Sequence, residues 1–249
     1  NVGFIGQVEP ARSVDLSFEL AGRVDSVAVD EGDTLRQGDV VARQDTRLIE
    51  AEIARLTASR TALEAQFDFA SRTLERSNEL NTRGFASTER LDGAIAARDE
   101  LAARIAEVEA ALLDASIRLE KATLHAPLDG RVTVRRIDGG ESLSPGQPIL
   151  TLVSTEDPVV RVGVPLDIAD DLPATATIRI DGRDHAARLQ SVRPDIDPVT
   201  RTRTALYTLP KAGDAVFGQT ARLVHTETIA VTGTWVPLRS LKESAGGVW

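Results

Sequence analysis

A motif that occurs twice constrains the fold of this 249-residue chain more than any other feature. Each copy begins with Gly-Arg-Val and carries two further glycines, and the two copies are offset by 108 residues. The glycines of the first copy are Gly22, Gly32 and Gly38, and those of the second are Gly130, Gly140 and Gly146. Valines between the glycines favour short strands, and glycine is typical of tight turns with a positive φ. We predict that these glycines form the structural turns of two β-rich halves, which pack together into one small sandwich; two unrelated β-hairpins are the alternative.

The segment between the copies, residues 46–121, has a different period and contains no proline. Its apolar residues recur at alternating intervals of four and three, with Arg60 and Arg98 each occupying one inward position. This spacing predicts two antiparallel helices packed as a coiled coil. The reversal falls at residues 81–87, where Ser87 is a suitable start for the second helix. With about 35 residues in each arm, the hairpin extends roughly 50 Å, so we expect an elongated, multi-domain chain.

The C-terminal third, from residue 155 onward, alternates between short β-rich runs and turn signals such as Asp181-Gly182. We predict five or so antiparallel strands and one short helix at 165–172, which together form a small β-barrel over 155–228. Residues 1–12 also have a strand pattern, and they belong either to this barrel or to a further β domain. That domain begins at 229 and is incomplete at 249, and we expect both ends of the chain to be cut.

Composition excludes several classes of function. The net charge is −9 and the basic residues form no concentrated cluster, which argues against nucleic acid as a partner. The chain has no cysteine and no methionine, and its three histidines show no ligand spacing, so we expect no metal site. Motifs for phosphate binding or for a catalytic nucleophile are missing. We predict no catalytic residues, no cofactor and no enzymatic activity, and no apolar run is long enough to span a membrane.

Three further motifs carry a resemblance to a known family. Ala126-Pro127-Leu128-Asp129-Gly130 opens the second repeat, Asp195 to Thr202 ends in Thr-Arg-Thr, and Val236-Pro237-Leu238 follows the barrel. Together with the split repeat, they make the chain resemble the membrane fusion proteins, the periplasmic adaptors of resistance–nodulation–division (RND) efflux pumps. The resemblance implies a mixed α and β architecture: a lipoyl-like domain from 13–45 plus 122–154, the α-helical hairpin 46–121, the β-barrel, and the start of a membrane-proximal domain at 229–249.

The resemblance also implies a contact at the hairpin tip. The family pattern there is an arginine, a leucine four residues later and a serine seven beyond that, and Arg76, Leu80 and Ser87 stand at this spacing. In the family these residues meet the outer-membrane channel. A guanidinium offers several donors to the carbonyls of a helix end, and leucine fits a groove between helices. The ordinary alternative is a solvated arginine, a core leucine and a helix-capping serine.

The function implied by the resemblance is that of a structural bridge. Such an adaptor links an inner-membrane RND transporter to an outer-membrane channel for the efflux of drugs or other small molecules, and several copies assemble into a ring. It is periplasmic, and we expect an N-terminal anchor to the inner membrane outside this chain. An adaptor of an ABC-type or type I secretion exporter is the alternative. A lipoyl or biotinyl carrier subunit is a third reading, but the hairpin replaces the turn that would carry an acceptor lysine.

Overall fold

The computed structural model describes residues 2–210, 216–225, 243–244 and 247–248. These residues form two compact units, of which one spans Pro10–Glu156 and the other contains the described residues on either side of it. The motif at 236–238 and nearly all of the expected domain at 229–249 lie outside the described residues. The elements, in chain order, are β1 (Val2–Glu9), β2 (Ser13–Ser17), β3 (Gly22–Val27), β4 (Thr34–Leu35), β5 (Val40–Gln44), α1 (Arg47–Thr82), α2 (Thr88–Lys121), β6 (Thr123–His125), β7 (Gly130–Arg135), β8 (Ser142–Leu143), β9 (Pro148–Ser154), β10 (Val159–Pro165), β11 (Thr175–Ile180), β12 (Arg183–Ile196), β13 (Thr202–Thr208), β14 (Thr220–His225), β15 (Glu243–Ser244) and β16 (Gly247–Val248).

The repeat forms a sandwich of two four-stranded sheets, with strand orders β2-β9-β7-β4 and β6-β5-β3-β8. Each half of the repeat contributes two strands to each sheet, so neither half forms a sheet by itself. Apolar side chains from both halves meet between the sheets, and Val24, Val41, Ile149, Leu150 and Leu152 are completely buried there. Because this core needs both halves, the sandwich is one cooperative structure rather than two hairpins.

The two halves also complete each other's turns. A turn glycine of one half donates its amide to the first valine of the other half, and the arginine before that valine donates back to the glycine carbonyl. Four hydrogen bonds make this exchange: Gly32 N to Val132 O (2.8 Å), Gly140 N to Val24 O (2.8 Å), Arg131 Nε to Gly32 O (2.8 Å) and Arg23 Nε to Gly140 O (3.2 Å). The equal spacing of the two copies therefore corresponds to a reciprocal pair of contacts in the structure.

The six repeat glycines fall into two classes. The φ angles of Gly32 and Gly38 are +92°, and those of Gly140 and Gly146 are +97° and +75°. The prediction that all six form turns is wrong for Gly22 and Gly130, which are the first residues of β3 and β7. These two lie in strands that are approached closely. A Cβ atom on Gly130 would lie 2.6 Å from the Val153 carbonyl oxygen, and one on Gly22 would lie 2.8 Å from the Gln44 side chain.

Helices α1 and α2 leave and re-enter the sandwich through neighbouring strands, since α1 follows β5, α2 precedes β6, and these strands pair antiparallel. The start of α1 lies beside the end of α2, where Arg118 Nη2 is 3.1 Å from Glu52 Oε2. The helices are therefore antiparallel. The positions given by the four-three spacing face the neighbouring helix. Only Leu56, Ser77 and Ala115 among the residues of the two helices are buried. With 36 and 34 residues, they extend about 50 Å.

The second unit contains a closed six-stranded barrel with the order β1-β10-β13-β12-β11-β14. The sequence did not decide whether the N-terminal stretch belongs to the barrel or to a further β domain. In the structure it is the barrel strand β1, which pairs with β10 and β14. Inward residues of the strands fill the barrel, and Tyr207 lies among them with its hydroxyl buried and without a hydrogen bond. The predicted helix at 165–172 is wrong: β10 runs through Pro165 and Pro173 follows, which leaves room only for hydrogen-bonded turns.

The Thr-Arg-Thr motif ends the connection between β12 and β13, and its last threonine is the first residue of β13. The Asp197 carboxylate accepts hydrogen bonds from the amides of Val199 (2.8 Å) and Thr200 (2.9 Å). The amide of Thr200, followed by that of Val199, lowers the pKa of the Asp197 carboxyl below its usual range. Arg201 adopts a positive φ of 53° at the end of this turn. The motif therefore specifies a structured turn of the barrel.

Candidate partner-binding site at the hairpin tip

The reversal between the helices is a glycine-terminated helix end. Gly84 has a φ of +79° and donates its amide to the Asn81 carbonyl (2.9 Å), while the amide of Phe85 donates to the Leu80 carbonyl (2.8 Å). This pair of bonds is the Schellman motif, which satisfies carbonyls that a helix end otherwise leaves free. Glycine is the residue best suited to the left-handed conformation that the motif requires. The turn is thus fixed by backbone chemistry.

Ser87 starts the second helix. Its backbone is extended (φ −78°, ψ 153°), and its side chain accepts a hydrogen bond from the amide of Arg90 (3.4 Å). These features are those of an N-cap residue. The Asn81 side chain adds a bond across the reversal to the Ala86 carbonyl (3.2 Å). Within the described residues Ser87 has this structural role, as the ordinary alternative expects, and its side chain is also exposed at the tip.

Arg76 and Leu80 lie one turn apart on the same face of α1, because residues four apart in a helix are neighbours. Arg76 is exposed, its Nη2 lies 3.1 Å from the Thr73 hydroxyl, and it has no carboxylate partner in the described part of the chain. Leu80 is 40% exposed. Leu80 is therefore not a core residue. The structure leaves a guanidinium and an apolar side chain side by side in solvent, close to the reversal.

Phe85 is a tip residue that the sequence analysis did not single out. It directly follows Gly84 in the reversal, and its side chain is 80% exposed. In a Schellman motif the residue at this position often packs against the one five before it, but here Leu80 and Phe85 both remain accessible. The signal was an aromatic residue within a turn that no core can cover. The tip thus exposes two large apolar side chains beside a free positive charge.

The described residues include no cluster of three or more metal-ligating side chains, and none of their helices has the length and hydrophobicity of a membrane span. The place where a carrier domain would hold its modified lysine is taken by the two helices. Lys121, in the last turn of α2, forms an ion pair with Glu19.

Proteins of similar sequence or structure include a multidrug resistance protein, a nodulation protein and a membrane fusion protein. No model of a known protein family matches the chain. The multidrug resistance protein MdtN of Escherichia coli is 29% identical, over 58% of this chain and 57% of MdtN. The nodulation protein NolF of Rhizobium meliloti is 27% identical, over 66% of this chain and 45% of NolF. The membrane fusion protein Spr0693 of Streptococcus pneumoniae superposes with a TM-score of 0.74 at 15% identity, over 92% of this chain and all of that structure.

The chain is thus similar in fold to a membrane fusion protein of known structure. The six-stranded barrel and the two helices fit that fold, as the sequence resemblance implied. Membrane fusion proteins are not enzymes, which agrees with the prediction made for this chain. The chain spans about half the length of the curated relatives it matches.

Proposed function

We propose that this chain is the periplasmic adaptor of a tripartite efflux pump. It would connect an inner-membrane transporter to an outer-membrane channel and carry out no chemistry itself. The observation that carries the proposal is the exposed tip: an arm of about 50 Å ends in a free guanidinium and two uncovered apolar side chains. Large apolar side chains exposed together at one site are typical of a surface that binds a partner. Attachment to the inner membrane through a separate N-terminal anchor belongs to the same proposal.

The tip contact is assigned to Arg76, Leu80 and Ser87, to which we add Phe85. In this contact the guanidinium of Arg76 donates to carbonyls at a helix end of the channel, where the helix dipole is negative. Leu80 and Phe85 bury their apolar surfaces between the helices of the channel. Ser87 shapes the reversal and offers its hydroxyl at the same end.

A charge reversal tests the assignment. Arg76→Asp places a negative charge against the same carbonyls, so resistance that depends on the pump should be lost in cells that express the variant. Arg72→Asp is the matched control, since Arg72 is an exposed arginine of the same helix on its outer face. Expression level and thermal unfolding should be unchanged for both variants. Resistance that survives Arg76→Asp would refute the channel contact.

The finer proposal concerns the transporter, which we take to be of the proton-driven RND class. Arms of 36 and 34 residues support it, because adaptors of type I secretion exporters resemble this chain but often have much longer hairpins. Purification of the full-length protein from its own membranes, followed by mass spectrometry of the bound transporter, decides the matter. Recovery of an ABC-type transporter would replace the RND assignment and leave the adaptor role intact.

A further inference from the structure

One flank of the helix pair opens between its base and its tip. At the base, the Glu52 carboxylate of α1 and the Arg118 guanidinium of α2 lie 3.1 Å apart and close this flank. Three heptads closer to the tip, the corresponding residues are Thr73 and Ala97. Their side chains are too short to bridge the helices, so the seam is uncovered there. We call this side the groove flank.

The uncovered stretch is an apolar groove of about 530 Å³. Its lining residues span positions 65–73 of α1, about 12 Å along the helix, and 94–101 of α2. Ala70 and Ala94 occupy seam positions below it, and Phe69 borders it with 69% of its surface exposed. A groove of this volume is within the range of sites that hold small organic molecules.

Positive charge lies at the end of the groove that is nearer the tip. Arg76 donates a hydrogen bond from its Nη2 to the hydroxyl of Thr73, a lining residue, at 3.1 Å. Arg90 lies one heptad closer to the tip than Ala97, at the same position of the repeat. Both arginines are exposed, and neither has a carboxylate partner among the described residues. The tip end of the groove is therefore electropositive.

Acidic side chains do not cancel this charge. Glu100, on the groove flank, pairs with Arg104 at 2.5 Å. The acids of this stretch that form no ion pair within the described residues lie at heptad positions of the outer face or of the opposite flank: Asp68, Glu75, Glu79, Glu89 and Asp92. The groove therefore combines an apolar surface with an unopposed positive end, and this combination is complementary to an anionic amphiphile.

We infer that the groove binds a free anionic amphiphile with a single alkyl chain, of the chemical class of a fatty acid. The alkyl chain would lie against Phe69 and the alanines, because a length of about 12 Å fits one chain of medium length. The carboxylate would accept hydrogen bonds from Arg76 and Arg90, since guanidinium groups bind carboxylates in a bidentate manner. The site is built from the two helices alone, so the inference goes beyond the proposed function and does not depend on it.

Calorimetric titration of the purified chain with dodecanoate tests the inference, at concentrations below those that form micelles. Dodecyltrimethylammonium, which has the same alkyl chain and the opposite charge, is the matched control ligand. We expect saturable binding of one dodecanoate and at least about tenfold weaker binding of the cation, because the arginines repel it. Equal affinity for the two ligands, or no saturable binding of dodecanoate, would overturn the inference.

A pair of variants locates the site. Ala97→Glu puts a bulky carboxylate into the groove, whereas Ala103→Glu adds the same charge on the exposed outer face of α2. We expect Ala97→Glu to weaken dodecanoate binding at least about tenfold, through steric exclusion and repulsion, and Ala103→Glu to leave it nearly unchanged. Equal effects of the two substitutions would refute the assignment to the groove; circular dichroism checks that the helices are intact.

Two further outcomes distinguish the ligand from a membrane and from the channel. If the chain floats with vesicles that contain phosphatidylglycerol but does not bind free dodecanoate, the groove meets a membrane surface and the inference falls. Arg76 also belongs to the proposed channel contact, so both variants leave it unchanged. Absence of dodecanoate binding, together with loss of resistance in Arg76→Asp, would remove the ligand site and leave the adaptor role intact.

Discussion

The sandwich and the helix pair distribute their apolar side chains in contrasting ways. The sandwich buries fifteen apolar residues in one core, and hydrogen bonds exchanged between its halves close its turns. The helices, with 36 and 34 residues, bury only Leu56, Ser77 and Ala115, and they leave Phe69 and Leu113 mostly exposed. Burial of apolar surface is the main source of stability. The sandwich is therefore stabilised from within, and the helix pair exposes surface that suits partners.

The largest expected effect comes from truncating one apolar side chain in the sandwich and comparing the loss with that of a truncation between the helices. Leu152→Ala removes a fully buried side chain from the sandwich and should lower the free energy of unfolding by about 4 kcal/mol. Leu63→Ala removes a half-buried side chain from the helix seam and should lower it by about 1 kcal/mol. Urea denaturation followed by circular dichroism measures both. Equal losses would show that the seam is as tightly packed as the sandwich.

A second test lies within the sandwich, where the repeat glycines serve different purposes. Gly130→Ala forces a Cβ atom against the Val153 carbonyl oxygen, a backbone atom that cannot move aside, and should cost about 3 kcal/mol. Gly140→Ala meets only an ordinary contact, 3.8 Å from Arg23 Nη2, but it strains the backbone at a φ of +97° and should cost about 1–2 kcal/mol.

Melting temperatures of the two purified variants give the order. A larger loss for Gly140→Ala would mean that the close approach of β7 and β9 relaxes easily. In that case the turns, rather than the strand packing, would determine the spacing of the repeat.

A smaller effect of opposite sign is expected in the helix pair. The Nε atom of Arg60 is buried at an inward position without a hydrogen bond, although the Glu64 carboxylate lies 3.3 Å away. Arg60→Leu removes this unsatisfied group and should raise the free energy of unfolding by about 1 kcal/mol. Arg72→Leu, at an exposed position of the same helix, is the matched control and should change it little. Destabilisation by Arg60→Leu would show that the ion pair outweighs the apolar contact.

The smallest effect concerns acid stability at the base of α1. The hydrogen bonds from the Arg47 side chain, followed by its backbone amide, lower the pKa of Asp45 from 3.8 to about 2. Because the folded state favours the carboxylate, the contribution of Asp45 is present above pH 3.8 and is lost as the pH falls towards 2. The variant Asp45→Asn should show a slightly shallower loss of melting temperature across this window. An unchanged slope would contradict the role of Arg47.

The sequence predicted the helices better than the glycines. Inward positions of α1 and α2 follow from a period that repeats along many turns, and the structure turns Leu56 and Ala115 inward as that period requires. The role of Gly130 could not be predicted from a period. Glycine is required there because a Cβ atom would collide with the Val153 carbonyl oxygen of a neighbouring strand. A local motif does not reveal which strand will lie beside it.

The barrel and the tip show the same limit. Strand β1 closes the barrel by pairing with residues at least 150 positions away, so the sequence alone left it between two candidate domains. At the tip, the resemblance predicted Arg76, Leu80 and Ser87 as contact residues, and Phe85 is not part of that pattern. The exposure of Phe85 depends on the Schellman geometry of the reversal, which a spacing pattern does not describe.

The pairing of β5 with β6 has a consequence for how such chains diversify. Helix α1 follows one of these strands and α2 leads into the other. The pairing therefore requires only that the start of α1 and the end of α2 lie side by side. Adding or deleting whole heptads in both helices together would preserve the seam and leave the sandwich untouched. The same sandwich would therefore accept arms of other lengths, built by inserting matched segments into both helices.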